Sequence, residues 1–282
     1  MSLAVITWNT DPVMVSIGSA DIRWYSLFLV LSIIISYLFL KRMFLNEGVS
    51  PDLLVSYGIA MILGLVIGGR LVHCLAYEPE YYLQYPWDII KPWRGKLGVN
   101  AHFVGYRGIS GHGSALGIVL AIVINAWRTK TSIVWMVDRI AIFGPLIGFF
   151  VRTGNFFNSE ILGKVSNAPF AVVFTHADGI PRHPVQLYEA ITYLVLFFIA
   201  FRFYQKHAGR EKPGSILGLV LVLVYTARFL LEFFKAKQSD VETDLFLNMG
   251  HLLSIPFIIA GIVLFFRPGR RQKEDPEIVK PK

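Results

Sequence analysis

Seven stretches of the chain are apolar over lengths that suit a lipid bilayer, and this constrains the fold more than any other feature. Hydrocarbon about 30 Å thick needs roughly 20 consecutive apolar residues in a helix. Candidates lie near 24–40, 53–76, 112–127, 132–151, 187–205, 215–234 and 249–266. A backbone N–H or C=O in that layer meets no water, so a spanning segment must satisfy its own hydrogen bonds, which selects helices. Composition agrees: hydrophobic residues make up 54% of the chain and charged residues 16%, too few polar side chains to cover a globule in water. The expected fold class is all-α, a polytopic membrane protein of about seven transmembrane helices with an external cap or loop region.

Orientation follows from where the basic residues fall when loops are assigned to alternating sides. Lys41 and Arg42 follow the first stretch, Arg128 and Lys130 the third, Arg202, Lys206, Arg210 and Lys212 the fifth, and Arg267, Arg270, Arg271 and Lys273 the seventh. These places are expected to be cytoplasmic, with the amino terminus outside, the carboxyl terminus inside, and the long 77–111 and 152–186 loops external. The segment from Glu78 to Arg107, rich in Tyr, Trp and Pro, suits a cap with interfacial aromatics. One transmembrane domain is expected over 1–266, followed by a charged cytoplasmic tail over 267–282. The net charge of +8 is explained by those basic loops, so no nucleic-acid partner is inferred. No cleavable signal peptide is evident, because a basic start is missing and Asp11, Pro12 and Asp21 precede the first apolar run. Cys74 is the single cysteine, which excludes an internal disulfide, and the histidines show no metal-ligand spacing. No metal or cofactor is expected.

Ionisable groups inside membrane spans are costly, so each is a candidate for function. With this orientation Tyr25, Arg70, His112, Arg152, Arg228 and Glu232 all fall toward the outer leaflet, whereas Asp138 and Arg139 lie nearer the cytoplasmic side and read as a structural or helix-pairing group. Arginine presents a permanently charged planar fork that matches phosphate. Several in one leaflet point to a phospholipid headgroup admitted from the membrane. The structural alternative pairs Arg228 with Glu232, and Arg70 with Glu78 or an interfacial carbonyl. The densest polar run, Arg152 to Gly163, is poor helix sequence and is expected to form a re-entrant or lid-like loop built on Gly154, Asn155, Asn158, Glu160 and Gly163. A second cluster, His183-Pro184-Val185-Gln186-Leu187-Tyr188-Glu189, leads into the fifth span, and Gly111-His112-Gly113 opens the third with an uncrowded imidazole. An imidazole titrates near neutrality and suits a general base at the membrane surface.

The run from Arg152 to Gly163 resembles the signature of the bacterial prolipoprotein diacylglyceryl transferase family. Supporting likenesses are Ile22-Arg23-Trp24-Tyr25, Gly68-Gly69-Arg70, Ser110-Gly111-His112-Gly113, the His183 to Glu189 cluster, and Arg228-Phe229-Leu230-Leu231-Glu232-Phe233-Phe234, in the family's order. Val151, Gly111 and Lys235 depart from the residues usual there, Lys235 standing where arginine is frequent. The resemblance implies a multi-pass enzyme of the bacterial cytoplasmic (inner) membrane, with its active site toward the outer leaflet. Such an enzyme moves the diacylglyceryl group of phosphatidylglycerol to the thiol of the lipobox cysteine of a lipoprotein precursor, and glycerol phosphate leaves. By this similarity Tyr25, His112, Arg152 and Arg228 are the catalytic positions. Arg70, Asn155, Asn158, Glu160, Gly163, His183, Gln186, Tyr188 and Glu232 are expected to bind substrate. The thiol belongs to the substrate, so Cys74 is not expected to react. A lipid or solute transporter and an intramembrane protease using Ser114 are the rivals. Neither internal symmetry nor a nucleophile elbow is found for them.

Overall fold

The computed structural model describes residues 6–18, 20–91, 93–94, 102–103, 110–207, 212–237 and 247–267. In chain order the elements begin with β1 (Ile6–Trp8), β2 (Val13–Ile17), β3 (Ala20–Arg23), α1 (Trp24–Asn46) and α2 (Pro51–Val72), which runs on as a π turn over His73–Tyr77. Then come α3 (Pro79–Gln84), a 3-10 turn at Pro86–Ile89, β4 (Trp93–Arg94), β5 (His102–Phe103), α4 (Gly111–Thr129), α5 (Ile133–Ala141) and α6 (Gly144–Phe157). The remainder is β6 (Val172–Phe174), β7 (Pro181–Arg182), α7 (Val185–His207), α8 (Ser215–Leu231) with a 3-10 turn at Glu232–Phe234, and α9 (Met249–Phe266).

Among the described residues five helices are long and apolar enough to cross a bilayer, and α5 with α6, bent by 41° at a short break, make a sixth when taken as one span. The sequence reading asked for seven and marked α4 among them. At 19 residues α4 has the length, but His112, Asn125 and Arg128 dilute its apolar character. The chain is mostly helical, as expected of a polytopic membrane protein, with short strands added among the described residues. A three-stranded sheet in the order β1-β6-β7 and two short antiparallel ribbons, β2-β3 and β4-β5, lie outside the spans. Hydropathy reading finds spans and passes over such short strands. Large side chains such as Ile33, Leu38, Ile62, Leu120, Phe198, Ile259 and Val263 stand exposed on the helices, as lipid-facing positions do. Arg210, Arg270, Arg271, Lys273, the glycines at 105 and 108, Arg107, and the tail beyond Arg267 lie outside the described residues.

The described residues form two compact units, one within 1–43 and 134–267 and the other within 44–133. In the second unit α2 and α4 pack antiparallel through paired small residues. A Cβ added at Gly64 would meet the carbonyl of Gly117, and one at Gly68 the carbonyl of Gly113, so the two backbones touch. Side-chain-free faces at four-residue spacing allow such close approach, which in lipid supplies packing that the hydrophobic effect does not. Ser110 caps α4 by accepting from Gly113 N (3.2 Å), and its own amide donates to Gly69 O (3.0 Å).

In the first unit α6, α7, α8 and α9 pack in sequence, with α1 against α6 through Phe28–Phe150 and Phe39–Phe143. Asp138, buried on α5, accepts from Gly214 N and Leu217 N at 2.8 Å each and so caps the start of α8. Four amides at a helix start lack intrahelical partners. This carboxylate satisfies two of them and gives Asp138 a structural role. Below the sheet Phe156, Val172 and Phe174 form a small core covered by Trp8 and Leu162, which fixes the loop after α6.

Candidate active site

Three helices of the first unit bring polar ends together. α6 ends near Arg152, α7 runs the opposite way and begins just before Gln186 and Glu189, and α8 ends at Arg228 and Glu232. Alternation of direction therefore delivers residues far apart in sequence to one end of the bundle.

Arg152 is mostly buried. Its Nε lies 2.8 Å from Glu189 Oε2, and its Nη1 donates to Asn155 Oδ1 at 3.3 Å. Glu189 is fully buried and its second oxygen, Oε1, lies 2.8 Å from Lys235 Nζ, which is also 3.2 Å from Glu232 Oε2. The row of charges Arg152, Glu189, Lys235, Glu232 alternates in sign. Burying such groups is tolerable only when each is paired. Glu232 sits against Gly250 of α9, where a Cβ would overlap its carboxyl group.

Sequence reading expected Arg152 to Gly163 to be loop throughout, but α6 continues to Phe157. The small Gly154 is what permits this. A Cβ there would come 2.7 Å from Tyr25 Cδ2 and 3.2 Å from Tyr25 Cα, so α1 packs directly on the α6 backbone. The loop proper begins at Asn158. Ser159 and Ile161 both adopt φ of +54°, a left-handed conformation that ordinary residues occupy only when the surroundings impose it. Here the surroundings are specific. Glu160 N donates to Asn155 O (2.9 Å), Gln186 Nε2 donates to Glu160 O (2.6 Å), and the Glu160 carboxylate accepts from the side-chain amides of Asn155 and Asn158 at 3.2 Å each. Gly163 then pairs with Lys235 as an antiparallel bridge, and a Cβ at 163 would collide with the carbonyl of His183. His183 Nδ1 and the Tyr188 hydroxyl lie 3.1 Å apart, and both rings pack on Phe234.

Arg228 is half-buried on α8 and makes no ion pair or side-chain hydrogen bond among the described residues. The alternative pairing with Glu232 is not what forms, because Glu232 serves Lys235. Arg228 and Arg152 both lie within electrostatic reach of the Tyr193 hydroxyl on α7. A guanidinium with no ion-pair partner among the described residues has donors left that suit an anion.

Of the expected residues, Tyr25, Arg152, Asn155, Asn158, Glu160, Gly163, His183, Gln186, Tyr188, Arg228 and Glu232 belong to this unit. Arg70 and His112 belong to the other. Arg70 is buried and donates from Nε to Ile89 O and from Nη2 to Asp88 O, at 2.9 Å each, with its guanidinium over the Tyr82 ring. Backbone carbonyls, one of the two alternatives, are thus among its partners. His112 is exposed at the start of α4, its Nδ1 3.5 Å from the Tyr77 hydroxyl.

Sequence reading missed Glu189 and Lys235 as parts of the cluster. Glu189 was passed over as part of a helix entry, although a lone carboxylate one turn into an apolar helix is itself a signal.

A family model described as Prolipoprotein diacylglyceryl transferase matches residues 12–267. The chain belongs to that family. Among its relatives, the phosphatidylglycerol–prolipoprotein diacylglyceryl transferase of Chloroherpeton thalassium is 40% identical over 263 residues, covering 93% of this chain and 94% of its own. That of Tolumonas auensis is 37% identical over 261 residues, covering 92% and 96%. The Bacteroides fragilis protein of the same name is 36% identical over 270 residues, covering 96% and 98%. The matched residues include Arg152 and the strained turn after α6.

Proposed function

We propose that this protein transfers the diacylglyceryl group of phosphatidylglycerol to the thiol of a lipobox cysteine in a lipoprotein precursor, forming a thioether and releasing glycerol phosphate. The observation that carries the reading is a pair of guanidinium groups within a single unit, Arg152 anchored through Glu189 and Arg228 with no carboxylate partner among the described residues. The relatives' names supply the two substrates.

The reaction is a substitution at the glyceryl carbon that bears the phosphate. A sulfur–carbon bond forms, the carbon–oxygen bond breaks, and the electron pair departs with the phosphate oxygen. Negative charge grows on that phosphate, and Arg152 and Arg228 stabilise it in surroundings drier than bulk water. A peptide thiol, with a pKa of about 8.5, is only a few per cent ionised near neutrality. We assign the removal of its proton to His112, whose exposed imidazole supports that part. Tyr25, packed on Gly154, presents a hydroxyl to the headgroup. Asn155, Asn158, Glu160, Gly163, His183, Gln186, Tyr188 and Glu232 shape and line its pocket, and Arg70 acts by holding the cap segment at Asp88 and Ile89.

For the membrane we propose seven crossings, α4 supplying the seventh, in the bacterial cytoplasmic membrane. The amino terminus lies outside, the carboxyl terminus is cytoplasmic, and the arginine cluster faces the outer leaflet. The basic residues toward the ends of α1, α4 and α7 and beyond α9 support this. Residues 1–266 act as one catalytic domain, with 267–282 a charged tail. Mass analysis of a lipobox peptide incubated with the purified protein and phosphatidylglycerol tests the activity. A diacylglyceryl adduct is expected. A shortened peptide, or an unchanged one, overturns the assignment.

A further inference from the structure

Lys235 is 2% exposed, one of the most enclosed ionisable side chains in the protein, and nothing in the reaction just described uses it. Its surroundings suggest why a cation stands there. Glu189 has no exposed surface, and its two oxygens lie at ion-pair distance from Arg152 Nε and Lys235 Nζ, 2.8 Å each, with no hydrogen bond to any other group among the described residues. Glu232 takes the remaining side of the ammonium group at 3.2 Å. Two cations and two carboxylates balance. Without the ammonium group the four-membered row would carry a net negative charge, and the whole of the Glu189 carboxylate would turn on Arg152. A guanidinium drawn inward in this way, beside an excess anion, is poorly set to hold a phosphate.

Backbone geometry ties the same residue to the signature segment. Lys235 bridges Gly163, while Lys164 N donates to Phe234 O (2.8 Å) and Ala236 N to Leu162 O (3.1 Å) on either side of it. The strand-like stretch after α8 therefore clamps the loop after α6, and its central side chain reaches the carboxylate that holds Arg152.

We propose that Lys235 is a positioning residue for the transfer: through Glu189 it sets the Arg152 guanidinium so that its remaining N–H groups are left for the anionic phosphate of the lipid. The assignment rests on the transferase reading given above. Lys235 itself does not touch the substrate.

The test is a double-mutant cycle in nanodiscs containing phosphatidylglycerol, with wild type, Lys235→Met, Glu189→Gln and the pair combined, read as kcat and KM for adduct formation. Lys235→Met should lower kcat by up to about 100-fold, as small misplacements of a catalytic group do. Lys235→Arg, which keeps the charge, should restore most of it. Because Lys235 acts through Glu189, the combined variant should be no slower than Glu189→Gln alone. Should Lys235→Met fail to fold, Lys235→Gln, which keeps hydrogen-bonding capacity without the charge, takes its place. A wild-type kcat in Lys235→Met, or losses that multiply in the combined variant, would overturn the proposal. If the wild type forms no adduct, the transferase reading fails on its own. The cycle is then read in melting temperature, where shifts that simply add break the link between Lys235 and Glu189.

Discussion

Replacing Arg152 by alanine should separate the chemistry from the scaffold, and the reason is that Glu189 has a second cation. Removing one partner of a buried ion pair ordinarily costs about 3–5 kcal/mol, because a charge is left uncompensated. Here the fully buried Glu189 keeps Lys235 at 2.8 Å. The loss of folding stability should therefore fall at or below the lower end, about 3 kcal/mol or less. The phosphate of the proposed reaction, by contrast, loses one of the two guanidinium groups assigned to it and keeps only Arg228. Deleting one such preorganised donor typically costs about 3–4 kcal/mol of transition-state stabilisation, or roughly 100- to 1,000-fold in turnover. Adduct formation on a lipobox peptide, followed by mass, gives the rate. A thermal melt on the same preparation gives the folded fraction. Turnover within a few-fold of wild type would refute the phosphate role, and so would a rate loss that merely follows the unfolded fraction.

Gly154→Ala should destabilise the first unit by about 1–3 kcal/mol, since its Cβ would approach the Tyr25 backbone to 3.2 Å and α1 would have to move; a lowered melting temperature checks this. Gly117→Val should force α2 and α4 apart, because the Gly64 carbonyl occupies the space a side chain needs, and cysteine cross-linking between the two helices should fall. Asp138→Ala should cost about 1–2 kcal/mol by uncapping α8, without the large rate loss of Arg152→Ala. Asp178, in the turn between β6 and β7, is held below the usual carboxylate range chiefly by its hydrogen bond from Arg182. A depressed value means that its small contribution is complete above the ordinary carboxylate pKa and fades as pH falls through the lowered one. Asp178→Asn should accordingly flatten the acid side of a plot of melting temperature against pH, and an unchanged slope would contradict the pairing.

Much of this could be read before any coordinates, and the parts that could not share a cause. Length and hydropathy located every long helix, because a bilayer tests those two properties directly. They gave no warning of β1, β6 and β7, whose three or fewer residues apiece are held by pairing with partners more than a hundred positions away in one case. Arginine at a shared depth suggests an anion site, and Arg152 and Arg228 both belong to the first unit. The segment after Arg152 misled, because Gly154 and Asn155 read as helix breakers when their neighbours are unknown. In place, Gly154 is the small residue that a ring of α1 requires, and Asn155 is occupied by Arg152 and Glu160. The pairing of Glu189 with Lys235 is hidden in the sequence for a related reason. Each looks ordinary in its own stretch of sequence, and the meaning of both lies in a contact between segments some 46 residues apart.

The carboxylate that α5 lends to the first amides of α8 has a mechanical side. The opposite end of α8 is tied by Glu232 to Lys235, and through it to the loop after α6. A rod fastened at both tips does not slide along its own length. Whatever yields to let a long-chain substrate in and a modified protein out, axial piston travel of α8 is ruled out unless one of those two fastenings is released first.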